Sequence, residues 1–250
     1  MKKKSNILLI GSKGKLGSAI IKSKLFNNLF CPTKKQLNIE NKEKIRRILR
    51  KKNFSLIINC AAMARMKQCE NFPNKAIKTN IFGTKNLVDE IENYRKIYKR
   101  DIKIIHISTD GVYPSIKGNY SEKHETRPYN IYGWTKLHSE LIVKRLKKYV
   151  VIRTRFFDGK NISFNTAATD IFTSAMEVEN LVKAIEKIHK KNFRGIINVG
   201  EKRKSDYENY KKFKKNIKPC KRIDIIKNLN FMIAKDASMN LNLFKKIIKN

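Results

Sequence analysis

An apolar run, Ile7-Leu8-Leu9-Ile10, leads straight into Gly11-Ser12-Lys13-Gly14-Lys15-Leu16-Gly17, and this junction constrains the fold more than any other stretch. Four successive apolar residues read as a strand buried on both faces. The amphipathic stretch after the glycines, through about Phe26, reads as a helix. Glycines at such a junction permit a tight turn and a close backbone approach, and a helix N-terminus offers unpaired N–H groups to a pyrophosphate. The loop therefore predicts a nucleotide site built from Gly11, Lys13, Gly14, Lys15, Leu16 and Gly17.

The same alternation continues along the chain. Further strands are expected near Leu29–Pro32 and at Ser55–Cys60, Asp101–Ser108, Val150–Thr154 and Gly195–Val199. Helices are expected at Ala76–Tyr94, Tyr129–Lys148, Glu177–Lys190, Lys202–Lys218 and Leu241–Ile248, with Phe156–Thr173 as loop. Strand–helix alternation implies right-handed crossovers and a parallel sheet covered on both faces. The fold class is thus α/β, a Rossmann-type doubly wound parallel sheet. Residues 1–155 form its nucleotide-binding domain, which also receives 177–199, and 156–250 form a smaller C-terminal lobe that binds substrate.

Composition bounds the partners. The chain carries 57 Lys+Arg against 21 Asp+Glu, a net charge of +36. Such a balance suits phosphate-bearing partners, but these basic residues are spread along the whole chain with no recognition motif beside them. Lys, Asn and Ile are all abundant, as an AT-rich coding bias produces. No specific nucleic-acid partner is expected, although a basic field would help draw in an anionic sugar nucleotide. The basic start at Met1–Lys4 and the short apolar run after it stop at Gly11, too soon for a secretory signal. No stretch reaches the roughly 18 apolar residues of a membrane span. Cys31, Cys60, Cys69 and Cys220 form no C-x-x-C pair, so a reduced, cytoplasmic protein without a metal site is expected.

Tyr132 and Lys136, in Tyr-Gly-Trp-Thr-Lys, share one face of a helix. An ammonium beside a phenol favours the phenolate, so a tyrosine of ordinary pKa about 10 can exchange its proton nearer neutrality. Reduction of a carbonyl needs such a proton. Thr109, at the end of the Ile104–Ile107 run, sits at the edge of a parallel sheet where ligands bind, and its hydroxyl can donate to a carbonyl oxygen. Ser108, Thr109 and Asp110 equally suit a turn cap. Asn59-Cys60-Ala61-Ala62 ends a strand in small residues, over which a cofactor can pass closely. Around Cys31-Pro-Thr-Lys34-Lys35 no carboxylate stands ready for a ribose 2′-hydroxyl. That favours NADPH, with NADH the alternative. His106 reads as a core histidine, Cys60 as a small buried hydrophobe, Cys69 as packing and Glu70 as a surface charge. Tyr207, Tyr210 and Phe213 read as the packed face of a helix.

Taken in order, these stretches resemble the extended short-chain dehydrogenase/reductase group, and within it the dTDP-4-dehydrorhamnose reductase family. The matching runs are Ile7 to Gly17 with its G-x-x-G-x-x-G spacing, Ile57 to Ala62, Asn80 to Leu87, Ile107 to Tyr113, Pro128 to Lys136 and Val151 to Thr154. The resemblance implies that Gly11, Gly14 and Gly17 cradle the pyrophosphate and that Asn38 and Ile39 lie near the adenine. It implies that Ala61, Ala62 and Met63 line the dinucleotide, and that Thr109, Tyr132 and Lys136 are the catalytic trio, with Tyr132 and Lys136 also touching the cofactor. The implied reaction is hydride transfer to the 4-keto carbon of a nucleotide-diphosphate deoxysugar. Three departures fall on the sugar side. Ala64-Arg65-Met66-Lys67 replaces a Thr-Ala-Val-Asp-like run, Arg155-Phe156 replaces Ser-Trp, and the stretch between Phe157 and Ile171 is short. A 4-epimerase of the same superfamily and a regulatory subunit on the same fold, like that of methionine adenosyltransferase, are the competing readings. Assembly as a homodimer is left open.

Overall fold

The computed structural model describes residues 6–227, 229 and 231–249. Its centre is a six-stranded sheet, every neighbouring pair parallel: β1 (Asn6–Ile10), β2 (Leu29–Phe30), β3 (Phe54–Asn59), β4 (Lys103–Thr109), β5 (Tyr149–Thr154) and, after four short strands, β10 (Gly195–Val199). The order across the sheet is β10-β5-β4-β3-β1-β2. The chain steps outward from β1 to β2 and then crosses back to β3, so the switch point lies between β1 and β3. In open parallel sheets, the crevice beyond the strand C-termini at that point binds ligands.

Residues alternate between the two faces. Ile7 and Leu9 of β1, with Leu56 and Ile58 of β3, pack against Leu16 and Ile20 of α1 (Lys15–Ser23), Leu181 and Ile185 of α7 (Val178–Lys190) and Phe244 of α10 (Asn242–Lys249). Leu8, Ile10, Ile57 and Ile104 face the other way, onto Ile45 and Leu49 of α2 (Lys42–Lys51), Leu87 and Ile91 of α5 (Gly83–Tyr98) and Val143 of α6 (Ile131–Val143). Burial on both faces explains why these strands are continuous apolar runs.

Between β3 and α5 the chain forms α3 (Met66–Asn71), α4 (Pro73–Ala76) and a π-helical turn, Ile77–Phe82. After β5 come β6 (Phe156–Phe157), β7 (Thr166–Ala168), β8 (Phe172–Thr173) and β9 (Met176–Glu177). Beyond β10 lie β11 (Lys204–Ser205), α8 (Asp206–Lys211), β12 (Lys218–Cys220) and α9 (Arg222–Ile226). β6 pairs with β9, β8 with β11 and β7 with β12, stitching a lobe beside the sheet.

Several element expectations are corrected. Residues 156–173 are not plain loop but carry β6, β7 and β8. The helix expected over Lys202–Lys218 is only α8, opened by a Ser205/Glu208 capping box. Lys211, Lys212, Lys214 and Lys215 would crowd like charges along its continuation, which disfavours further turns. Tyr210 and Phe213 instead meet the Phe157 ring edge-on, at 5.2 and 5.4 Å between centroids. The helix expected from Tyr129 to Lys148 is α6 alone, which starts after Asn130, whose side chain accepts from Gly133 N–H at 2.7 Å. The helix expected from Ala76 begins at Pro73 and runs through the π turn to Tyr98. The first helix stops at Ser23, short of Phe26, with Lys24 in the left-handed region. α2 has no counterpart among the expected helices.

Candidate active site

The glycine loop is shaped by contacts that admit no side chain. Gly11 has φ +82°, and a Cβ there would lie 2.8 Å from Ala61 N. A Cβ on Gly17 would lie 2.3 Å from Gly11 O, so the first turn of α1 presses onto the loop. Gly14 N–H donates to Gly11 O at 3.0 Å, and Gly14 caps α1 without a side-chain acceptor for the first-turn N–H groups. Those donors remain available to an anion, the arrangement that binds pyrophosphates.

Beside the loop lies a cavity of about 260 Å³ at the β1/β3 crevice. Its walls include Gly11, Lys13 and Gly14 from the loop, Pro32, Lys34, Asn38 and Ile39 after β2, and Cys60, Ala61 and Ala62 after β3. No carboxylate is among its lining residues. The remaining expected residues stand around it rather than in its wall. Lys15 is exposed, the Leu16 side chain is committed to the core, and Met63 lies beyond Ala62. Only the backbone of Leu16 and Gly17 can address a ligand.

Asn80, in the π turn, fixes this edge. Its Oδ1 accepts from Met63 N–H at 2.8 Å, while its Nδ2 donates to Met63 O at 3.1 Å and to Thr135 Oγ1 at 2.9 Å. One buried amide thus ties the 61–63 segment to α6, the helix that carries Tyr132 and Lys136. π-type turns of this kind recur at functional sites. Glu70 is not a free surface charge. It accepts from Ile131 N–H at 2.7 Å and so caps α6 from α3. Cys69 is buried beside it and donates to Met63 O at 3.2 Å.

The C-terminal ends of β3 and β4 meet α6. Lys136 is 2% exposed, and its Nζ lies 2.9 Å from His106 Nε2. Burial pulls the Lys136 ammonium down from its ordinary value to about 8, with Glu140 and Cys60 opposing that pull. Burial pushes the Cys60 thiol up to about 12, with Lys136 acting against it. The charge on Lys136 therefore acts on Cys60, a wall residue of the cavity. Burial also raises the Tyr132 phenol above its ordinary value; Cys69 and Asp110 add to the rise, and Arg155 opposes it. Arg155 is thus a cation that eases the phenolate, besides the Lys136 that sequence reasoning expected in this role.

Arg155 Nε donates to Asp110 Oδ2 at 2.7 Å. Thr109 Oγ1 donates to Asp110 Oδ1 at 3.1 Å and accepts from Gly111 N–H at 3.0 Å, so Thr109 also caps the 3₁₀ turn Asp110–Val112. α6 reaches this turn because Gly133 has no side chain; a Cβ there would lie 2.2 Å from Gly111 O. Behind the site, Arg153 pairs with Glu140 at 2.7 Å and donates to Tyr113 Oη at 2.9 Å, and Ser108 donates to Glu140. All four are buried, and they lock β4, β5 and α6 together.

Sequence reasoning missed Asn80, Glu70, Arg155 and the His106 contact. Arg155 left a signal as a departure from the expected Ser-Trp, and Asn80 as the first residue of a matching run. Among the described residues no group of three or more His, Cys, Asp or Glu could hold a metal ion, and no helix is long and apolar enough to cross a membrane.

Residues 5–198 match the family described as the RmlD substrate binding domain. The chain belongs to that family. A dTDP-4-dehydrorhamnose reductase of Mycolicibacterium smegmatis is 31% identical over 151 residues, which cover 58% of this chain and 44% of that protein. Methionine adenosyltransferase 2 subunit beta of Bos taurus is 29% identical over 146 residues, covering 55% and 42%. The matched stretches thus span less than half the length of these two relatives. The crystal structure of a dTDP-4-dehydrorhamnose reductase from Bacillus anthracis, in complex with NADP, superposes with a TM-score of 0.86 at 23% identity. It covers 98% of this chain and 93% of that one, which fixes the Rossmann-type RmlD fold through the lobe as well as the sheet.

Proposed function

We propose that the chain is an NADPH-dependent reductase that acts on the 4-keto group of a nucleotide-linked deoxysugar. The observation that carries this reading is the cavity at the β1/β3 switch point, walled by the glycine loop and by Cys60–Ala62. Asn80 ties the adjoining Met63 to Thr135 of α6, the helix that carries Tyr132 and Lys136. The residues fit a dinucleotide. Gly11 and Gly14 leave room for its backbone, the first turn of α1 offers N–H groups to the pyrophosphate, and Asn38 and Ile39 flank the adenine end. Lys34 in the wall, with no carboxylate among the lining residues, suits a 2′-phosphate and hence NADPH over NADH.

NADPH, when bound, supplies the hydride. Tyr132 gives its proton to the carbonyl oxygen as the alcohol forms, and Arg155 stabilises the phenolate left behind. Lys136 holds the nicotinamide ribose, Thr109 donates to the carbonyl oxygen, and the lobe after Arg155 grips the sugar nucleotide. Likeness to reductases from distinct organisms supports the substrate class, including a dTDP-4-keto-6-deoxy-D-glucose reductase of Streptomyces niveus.

The decisive experiment follows NADPH oxidation over a panel of nucleotide-linked 4-keto sugars, with Tyr132→Phe as control. Turnover with one of them, lost by at least about a hundredfold in the variant while NADPH affinity holds, is the expected result. A second reading is favoured by the 29% match to methionine adenosyltransferase 2 subunit beta: a subunit whose nucleotide site serves assembly. NADPH binding without oxidation across the whole panel would select it.

A further inference from the structure

Lys136 and three buried polar side chains beneath it form a set whose hydrogen-bond count fixes the protons. Asn59 Oδ1 accepts from Ala61 N–H at 3.2 Å, which orients the amide. Its Nδ2 then faces His106 Nδ1 at 3.2 Å. An amide NH₂ can only donate, so Nδ1 must accept, and a neutral imidazole then carries its proton on Nε2. Nε2 lies 2.9 Å from Ser139 Oγ and 2.9 Å from Lys136 Nζ. The Ser139 proton is already given to Lys136 O at 2.7 Å. An ammonium has three donors and no lone pair, so it would meet Nε2–H donor against donor; a neutral amine has the lone pair to accept. His106 and Ser139 are fully buried and Asn59 nearly so, so no solvent relieves the conflict.

We propose that His106, held as its Nε2–H tautomer by Asn59, is the positioning residue that seats the Lys136 side chain and favours its uncharged amine. The inference deepens the reductase reading, because it rests on Lys136 being part of the active pair. The other titratable groups that act on Lys136 are Glu140, one turn along α6, and Cys60 at the end of β3. Glu140 favours the ammonium but is shared with Arg153 and Ser108. Burial drives His106 well below the ordinary imidazole value, in keeping with a ring that stays neutral. Lys136 therefore changes charge within reach of physiological pH. The cation is admitted only when the imidazole proton moves or the two donors part.

Two measurements on the free protein test this, and neither needs turnover. In ¹⁵N-histidine-labelled protein, the His106 signals, assigned by their loss in His106→Asn, should show a protonated Nε2 and a bare Nδ1 from pH 6 to 9. A protonated Nδ1, or an imidazolium titrating in that range, overturns the proposal. In [¹³Cε]lysine-labelled protein, the Lys136 signal, assigned by its loss in Lys136→Met, should titrate near pH 8. Asn59→Leu frees Nδ1 to take the proton, so Nε2 can accept from the ammonium. The proton affinity of Lys136 should then rise at least threefold. Burial by itself predicts the opposite, since leucine makes the surroundings more apolar, and an unchanged or lowered midpoint refutes the tautomer lock. If Asn59→Leu does not fold, the wild-type ¹⁵N spectrum still decides. Failure of the reductase reading would show in the NADPH assay, and failure of this inference in the spectra.

Discussion

Replacing Lys136 with methionine should stabilise the protein while abolishing turnover. Methionine keeps most of the aliphatic length and removes the charge. In the folded chain burial holds the Lys136 ammonium at about 8, against 10.5 for a free lysine side chain. At about 1.4 kcal/mol for each tenfold change in proton affinity, the buried charge costs up to about 3 kcal/mol at pH 7. The lost hydrogen bonds and the fit of the thioether reduce what the variant recovers, so about 1–3 kcal/mol is expected. The sign follows from proton binding. Between pH 8 and 10.5 the unfolded chain holds the lysine proton more tightly than the folded chain. Wild-type stability attributable to this group therefore grows as pH rises through that window, and below pH 8 the cost is present in full. The variant's advantage should be largest at pH 7, shrink from pH 8 upward and be gone near pH 10.5. Urea unfolding at pH 7, 9 and 10.5, with the slope unchanged between proteins, measures it. A variant less stable than wild type at pH 7, or an advantage that does not vary with pH, would refute the claim that Lys136 is held against its own charge. The test matters because residues that destabilise a fold concentrate where function requires them.

Other outcomes follow from the same geometry. Gly17→Ala places a methyl 2.3 Å from Gly11 O, so the loop must open; NADPH affinity, read by fluorescence titration, should fall at least about tenfold, while Ser18→Ala next to it should have little effect. Glu140→Leu leaves Arg153 buried without its carboxylate and should cost about 3–5 kcal/mol in chemical denaturation. The double variant Glu140→Leu/Arg153→Met should recover a substantial part of that loss.

The parallel strands were legible because burial on both faces writes them as unbroken apolar runs. Ile7–Ile10 and Val150–Ile152 need no partner to be recognised. α2 was not legible. Ile45, Ile48 and Leu49 are its only buried residues, and the six Lys and Arg around them hide the stripe. The glycine loop and the Tyr132/Lys136 pair were legible as short-range spacings; the loop lines the β1/β3 crevice, and Lys136 lies against His106 of β4. The supporting shell was hidden because it is made at long range. Asn59 and His106 are 47 residues apart, and Glu70 and Ile131 are 61 apart. Strand order brings the first pair together, with Asn59 directly opposite His106 in the β3/β4 register. No local pattern carries that information.

The departure at Arg155 has a consequence for Thr109. A hydroxyl has one proton, and Thr109 directs its own to Asp110 Oδ1. If Thr109 is to donate to a carbonyl oxygen, it must release that carboxylate, and Asp110 is 1% exposed. A buried carboxylate left short of donors is costly. Arg155 offsets that cost, because its guanidinium holds Asp110 Oδ2 at 2.7 Å. The same cation opposes the rise that Asp110 imposes on the Tyr132 phenol. If Thr109 and Tyr132 act as proposed, one residue thus frees the donor and eases the acid. A serine at this position could reach neither end of that task with a charge, and its carboxylate partner would be left pressing on the phenol. Under the proposed reductase reading, Arg155 therefore serves the proton chemistry as well as any contact to the sugar.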